Sequence, residues 1–324
     1  MKKKIVLALL LVAIMMGTVF ARGAKETTEN YVIGNSQHWG SITYARVVML
    51  GAEDAAKEWS TKLGVEVKVK GTDSGMNDPS VQANDIQDLY AQNVDGLLIF
   101  AGDAKIVGQA VKNTFNKDGL PVVVTDTGMV GAEYVSHVTT DNYIAGETGA
   151  NALDGVIPFG SKVIAVNGSP GIESVNLRVQ GYEETCAKLG FNVLPTKTCK
   201  VSVENGKRLM EDLLVSEPDI AAVFTTNIDT AIGASSALKN AGNTTCHIIA
   251  FDLNDVAFKM VKDGEIYALI IQDPYYMGHE GLNQVMYKIT GETSKIVKEI
   301  NSPVYILTKD NTNDFADNPA LTLN

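Results

Sequence analysis

Val94-Asp95-Gly96-Leu97-Leu98-Ile99-Phe100 and Pro121-Val122-Val123-Val124-Thr125-Asp126 decide the fold. Each is a short, unbroken apolar run that opens on a turn residue. A strand with one wetted face alternates apolar and polar residues, whereas an unbroken run marks a strand buried on both faces, as in a parallel sheet. Between the two runs, residues 104–117 carry helical spacing. The same unit recurs in both directions. Further strands are expected at Tyr31–Asn35, Val65–Lys70, Lys162–Val166, Asn192–Leu194, Ile220–Thr225, His247–Phe251 and Ala268–Gln272. Helices are expected at 44–63, 79–92, 143–156, 174–189, 204–216, 229–241, 254–263 and 275–290. Such alternation predicts an α/β architecture with helices on both faces of parallel sheets. About four units precede residue 140 and about four follow it, with no Pro/Gly-rich linker between the halves, so the chain is expected to cross between them at a tight hinge.

Composition narrows the function. The 324 residues are 45% hydrophobic and 20% charged, with 27 basic and 38 acidic side chains and a net charge of −11. That is a globular chain with a sizeable core. Its sign argues against nucleic acid, whose phosphates demand a positive field. Lys2-Lys3-Lys4, an apolar run to about Met16, and Val19-Phe20-Ala21 read as an export signal cut after Ala21, because the apolar core is shorter than the roughly 20 residues that span a bilayer. Export suits disulfides, but Cys186, Cys199 and Cys246 are an odd set and read as free thiols.

Reactive machinery is missing from the sequence. There is no G-x-S-x-G elbow, phosphate-binding Gly loop, Cys-x-x-Cys or calcium loop, and the four histidines are scattered. No metal or cofactor is expected. The informative residues stand where the apolar runs stop, since open α/β sheets bind ligands beyond the carboxyl ends of their strands. Those ends read Asn35-Ser36-Gln37-His38-Trp39, Gly102-Asp103, Asp126-Thr127, Asn167-Gly168, Asn227-Ile228-Asp229, Phe251-Asp252 and Gln272-Asp273. Carboxylates and amides match the vicinal hydroxyls of a sugar, and aromatic faces cover its C–H side. Asp103 and Asp229, each just before a helix, read as caps. Asp126 and Asp252 read as ligand contacts.

These segments, with Val135-Ser136-His137-Val138-Thr139-Thr140-Asp141-Asn142, Arg178-Val179-Gln180-Gly181-Tyr182, Ala222-Val223-Phe224-Thr225-Thr226-Asn227 and Gln272-Asp273-Pro274, resemble the ribose/galactose-type periplasmic sugar-binding proteins of ABC transporters from about Tyr31 to about Asp310. The resemblance implies two Rossmann-like lobes of the type I periplasmic-binding-protein class. They are joined by three hinge strands, with residues 31–140 plus 273–303 in one lobe and 141–272 plus 304–324 in the other. It assigns sugar contacts to Asn35, Asp126, Asn227, Phe251, Asp252 and Gln272, and puts Asn176 and Thr127 where ribose binders carry arginines. Arg178 matches an arginine of structural role. Trp39 is expected to supply stacking that two aromatics give in the family, at Ser41 and Ile42 here. LacI-type repressors share the lobes but begin with a DNA-reading helix pair, where this chain has its signal.

The function expected is therefore a monomeric, exported binding protein that closes on a neutral sugar or polyol and delivers it to an ABC permease. A sensor for a nucleoside or an autoinducer furanose, and a secreted sugar hydrolase working through two opposed carboxylates, stand as alternatives.

Overall fold

The computed structural model describes residues 30–38, 43–73 and 78–318. The signal segment and Trp39 lie outside the described residues. In chain order the first half runs β1 (Tyr31–Gln37), α1 (Thr43–Leu63), β2 (Val67–Asp73), α2 (Pro79–Ala91), β3 (Gly96–Phe100), α3 (Ala104–Asn113), β4 (Val122–Thr125), β5 (Ser136–Thr140) and α4 (Asn142–Asn151). The second runs β6 (Lys162–Asn167), α5 (Glu173–Lys188), β7 (Asn192–Val193), β8 (Lys197–Thr198), α6 (Val203–Ser216), β9 (Ile220–Thr225), α7 (Ile228–Asn240), β10 (His247–Phe251), α8 (Asp255–Asp263), β11 (Ala268–Gln272), α9 (Pro274–Ile289), β12 (Glu299–Ser302) and β13 (Val304–Thr308).

Two sheets form. The first has the order β12-β5-β4-β3-β1-β2 and is parallel throughout. The second has the order β13-β11-β10-β9-β6-β7, with β8 also on β6, and only β13 runs antiparallel. The unbroken apolar runs have the cause the sequence suggested. In β3 and β4, Leu98 and Val123 pack beneath α1 and α9, while Leu97, Ile99, Val122 and Val124 pack against α2 and α3. In the second sheet Ile164, Val223 and Ile248 face α6, α7 and α8, and Val163, Phe224 and Phe251 face α4 and α5. Each such side chain contributes about 1.5–3 kcal/mol by leaving water, so a polar residue on either face of these strands would be costly.

The helix pairs flanking the sheets are seated through glycines. A Cβ on Gly146 of α4 would stand 2.0 Å from the Arg178 carbonyl oxygen of α5, and one on Gly181 of α5 would stand 2.0 Å from the Tyr143 oxygen of α4. The two backbones therefore touch, which fixes where α5 presents Arg178.

Asp103 caps α3, accepting from the amides of Lys105 at 2.9 Å and Ile106 at 2.8 Å. Asp103→Ala should lower stability by about 0.5–2 kcal/mol in chemical unfolding and leave any ligand response unchanged; lost ligand response would place Asp103 in the site instead. Asp229 is not a cap. Helix α7 begins at Ile228, so Asp229 lies in its first turn and Asn227 takes the cap position, accepting from the Thr230 amide at 2.9 Å. The cysteines are free thiols. Burial pushes Cys186 and Cys246 up to about 12, which keeps both thiols protonated and unreactive.

Candidate functional site

The chain passes between the sheets three times: after Thr140, after Gln272 and through the single residue Pro303. One side chain from each crossing joins a hydrogen-bonded chain. The Thr140 hydroxyl donates to Gln272 Oε1 at 2.9 Å and lies 3.3 Å from the Ser302 hydroxyl. Gln272 Nε2 donates to Asp252 Oδ1 at 2.7 Å. The hinge is thereby tied directly to a carboxylate at the end of β10.

Beside the hinge, a cleft of about 990 Å3 opens between the sheets. Tyr44, Phe100, Asp126 and Thr127 line it from the first sheet's side, and Ser174, Val175, Arg178, Asp252 and Gln272 from the second's. Asp126 and Asp252 follow β4 and β10, and both have left-handed backbone, with φ of 56° and 78°. Side chains other than glycine avoid that region at a cost of order 1–3 kcal/mol, Asp and Asn least. Two of the three such residues among those described thus stand in one cleft. The turns are held by neighbouring strands: the Asp126 amide donates to the Val138 carbonyl at 2.9 Å, and the Asp252 amide to that of Ile270 at 2.9 Å.

Arg178 supplies the positive charge. Its guanidinium lies 3.5 Å from the centroid of the Phe251 ring, and its Nε donates to Asn142 Oδ1 at 2.7 Å. Cation–π contact of a desolvated guanidinium contributes about 2 kcal/mol. Burial pushes the Asp126 and Asp252 carboxyls above the ordinary range, and Arg178 opposes that rise in both. Burial likewise lowers Arg178 while the two carboxylates raise it. Tyr44 is pushed well up by burial and then by Asp126 and Asp252, so its hydroxyl keeps its proton. Its ring stands edge-on to Phe100 at 5.8 Å. The site therefore offers two acceptors, one planar donor and two aromatic surfaces, the set that a polyhydroxylated ring uses.

The structure brings Asp126, Asp252 and Gln272 together and redirects the other expected contacts. Asn35 is buried within β1, donating to Met49 Sδ at 2.9 Å and accepting from Gln37. Asn227 spends its oxygen on the α7 cap. Phe251 is fully buried beneath Arg178 and supports it. Asn176 holds the loop before α5, accepting from Asn167 at 2.9 Å and donating to the Pro170 carbonyl at 3.0 Å. None of these four lines the cleft. Arg178, expected to be structural, lines the cleft and acts electrostatically on both carboxylates, so the cleft does have a cationic counterweight. Tyr44 and Phe100 were not anticipated, although Phe100 ends an apolar run and could have been read from that.

A family model, described as the periplasmic binding protein domain, matches residues 33–293. The chain belongs to that family. It is 31% identical over 240 residues to the ribose import binding protein of Escherichia coli (strain K12), covering 74% of this chain and 80% of the relative. It is 26% identical to the xylitol-binding protein of Mycolicibacterium smegmatis, over 74% of this chain and 68% of the relative. Among solved structures, the arabinose-binding protein AraP of Geobacillus stearothermophilus aligns with a TM-score of 0.78 at 22% identity, covering 89% of this chain and 99% of that one. That likeness establishes the same two-lobed fold.

Proposed function

We propose that this periplasmic binding protein is exported, holds a neutral sugar or sugar-like polyol between its lobes, and hands it to an ABC importer without covalent chemistry. The observation that carries the reading is the facing pair Asp126 and Asp252, each held in a left-handed turn at a strand end and both paired electrostatically with Arg178. Strained backbone persists where a site requires it. Ligand can favour the closed form only by contacting it better than the open one, and contacts from both sheets provide that difference. In this reading residues 31–140 plus 273–303 and residues 141–272 plus 304–324 move as the two bodies. The ribose and xylitol relatives support a small polyhydroxylated ligand. Thr127, which lines the cleft where the resemblance places an arginine of ribose binders, directs the choice away from ribose itself.

A melting-temperature screen of pentoses, hexoses, polyols and nucleosides tests the reading. A sugar or polyol should raise the transition; a response to nucleosides alone would favour the nucleoside sensor. Calorimetry should then show that the phosphate ester of the responding sugar binds far more weakly. Two desolvated carboxylates face one guanidinium whose Nε is already engaged, so an added anion meets net like charge. Tighter binding of the ester would place the ligand elsewhere. Mass measurement on protein from the native envelope should find a chain that starts at Arg22; retention of residues 1–20 would refute cleavage after Ala21.

A further inference from the structure

The turn that carries Asp126 meets a group of side chains centred on His137. On β5, His137 Nε2 lies 2.7 Å from the Asp126 carbonyl oxygen, which also accepts from the Thr139 hydroxyl at 3.0 Å. Its Nδ1 lies 3.2 Å from Glu299 Oε2, on the adjoining strand β12, where Glu299 and His137 are register partners. Both oxygens are acceptors only: a carbonyl has no proton, and an ionised carboxylate has none either. A neutral imidazole carries a single N–H and leaves one of the two contacts as lone pair against lone pair. The doubly protonated ring satisfies both.

We propose that His137 is a positioning residue for Asp126: as an imidazolium it clamps the left-handed turn of the cleft to β12, the strand that continues through Pro303 into the second sheet. Glu299 faces His137 from β12 and accepts from the Tyr134 hydroxyl at 3.3 Å. Lys298 donates to the Tyr134 carbonyl and covers the Tyr134 ring at 3.6 Å. The Tyr134 ring lies edge-on to His137 at 6.1 Å. From the end of β4 come the Asp126 turn, whose carboxylate adds a favourable negative charge, and Gly128, where a Cβ would stand 3.7 Å from the ring. The imidazole side chain is 17% exposed, so solvent protons reach it while most of the ring is packed. The two acceptors are both satisfied only while the ring holds two protons, so the clamp should loosen when the ring gives up its second proton.

The ring geometry can be tested without any ligand. In full-length protein labelled at histidine nitrogen and backbone amides, NMR at mildly acidic pH should show both His137 ring nitrogens protonated. On raising the pH, the Asp126 and Thr127 amide signals should move with the same midpoint as the ring. In Glu299→Gln the ring keeps the carbonyl contact but loses the partner that calls for a second N–H, and the coupled movement should shrink; in His137→Gln it should vanish while melting stays close to wild type. The affinity consequence rests on the sugar-cleft reading. With ribose, arabinose and xylitol as probes, any that binds should weaken roughly two- to tenfold in His137→Gln at low pH, the loss of one hydrogen bond, and converge on wild type at high pH. Asp126 and Thr127 amides that ignore the ring's change of protonation, or a ring already neutral at mildly acidic pH, would overturn the proposal. Failure of all three probes with the NMR coupling intact would count against the ligand class and leave the clamp standing.

Discussion

Arg178→Met should cost about 3–5 kcal/mol at neutral pH and abolish ligand response. The guanidinium is buried against Phe251 and faces two desolvated carboxylates. Removing one member of a buried charge group leaves the others uncompensated, which is where losses of that size arise. Methionine keeps much of the apolar stem, so the loss reports charge rather than a cavity. For lobes of this size the melting temperature should fall by roughly 6–20 °C. The pH dependence separates this mechanism from simple mispacking. Without Arg178, the Asp126 and Asp252 carboxyls rise further above their unfolded values. A carboxyl whose folded pKa is raised makes the native state bind more protons than the unfolded one, so stability increases as pH falls through the raised value. The variant should therefore recover on mild acidification more than wild type does. Arg178→Lys should not rescue it: an ammonium cannot lie flat on Phe251 while donating sideways to Asn142. A variant equally destabilised at every pH would show that packing alone holds the residue.

Asp126 and Asp252 were legible because their signal is local: an apolar run stops, and the next residue is acidic. Arg178 was not, because its role is set by how two helices meet. Asn176 and Arg178 are two residues apart, so their side chains leave a helix about 200° apart, and only one can face the cleft. The choice falls to Arg178 because the contact of α4 with α5 at Gly146 and Gly181 turns that face inward, together with Ser174 and Val175. Nothing in residues 173–182 taken alone reports the contact. Strand boundaries show the same division. Strands β3, β9, β10 and β11 match expectation to the residue since both faces are apolar. Strand β5, Ser136-His137-Val138-Thr139-Thr140, alternates buried and half-buried positions. It and β12 are not expected from the sequence because their polar residues engage the Asp126 turn, the hinge and each other, work that propensity cannot register. Asn227 misled for a related reason. A polar residue between a strand and a helix fits both a ligand contact and a cap, and only the position of the first helical turn decides.

Asp126→Asn and Asp252→Asn should each remove most of the ligand response while leaving the unliganded protein at least as stable as wild type. At a sugar concentration of about 100 times the dissociation constant, binding stabilises the native state by about 2.7 kcal/mol, which raises the melting temperature by roughly 5–10 °C. Either amide should erase most of that rise, since a hydrogen bond to a charged acceptor contributes about 1.5–3 kcal/mol. The second half of the expectation follows from the direction of the carboxyl shifts. Burial is the largest influence on both groups and drives them upward despite Arg178. A raised folded pKa means that ionisation disfavours the native state, and above that pKa the destabilisation is fully present. A neutral amide of the same shape relieves it, and Asn accepts the left-handed turn as readily as Asp. The cleft thus trades stability for binding, as sites held in strained and desolvated form do. Acidification should mimic the substitutions: affinity falls as pH drops into the raised carboxyl range, while the unliganded protein does not lose these groups' share of stability. Calorimetric titration across that range, beside melting curves of the three proteins, is the decisive comparison. Variants that melt several degrees lower yet keep the full ligand response would mean that these carboxylates hold the fold and that sugar is gripped elsewhere.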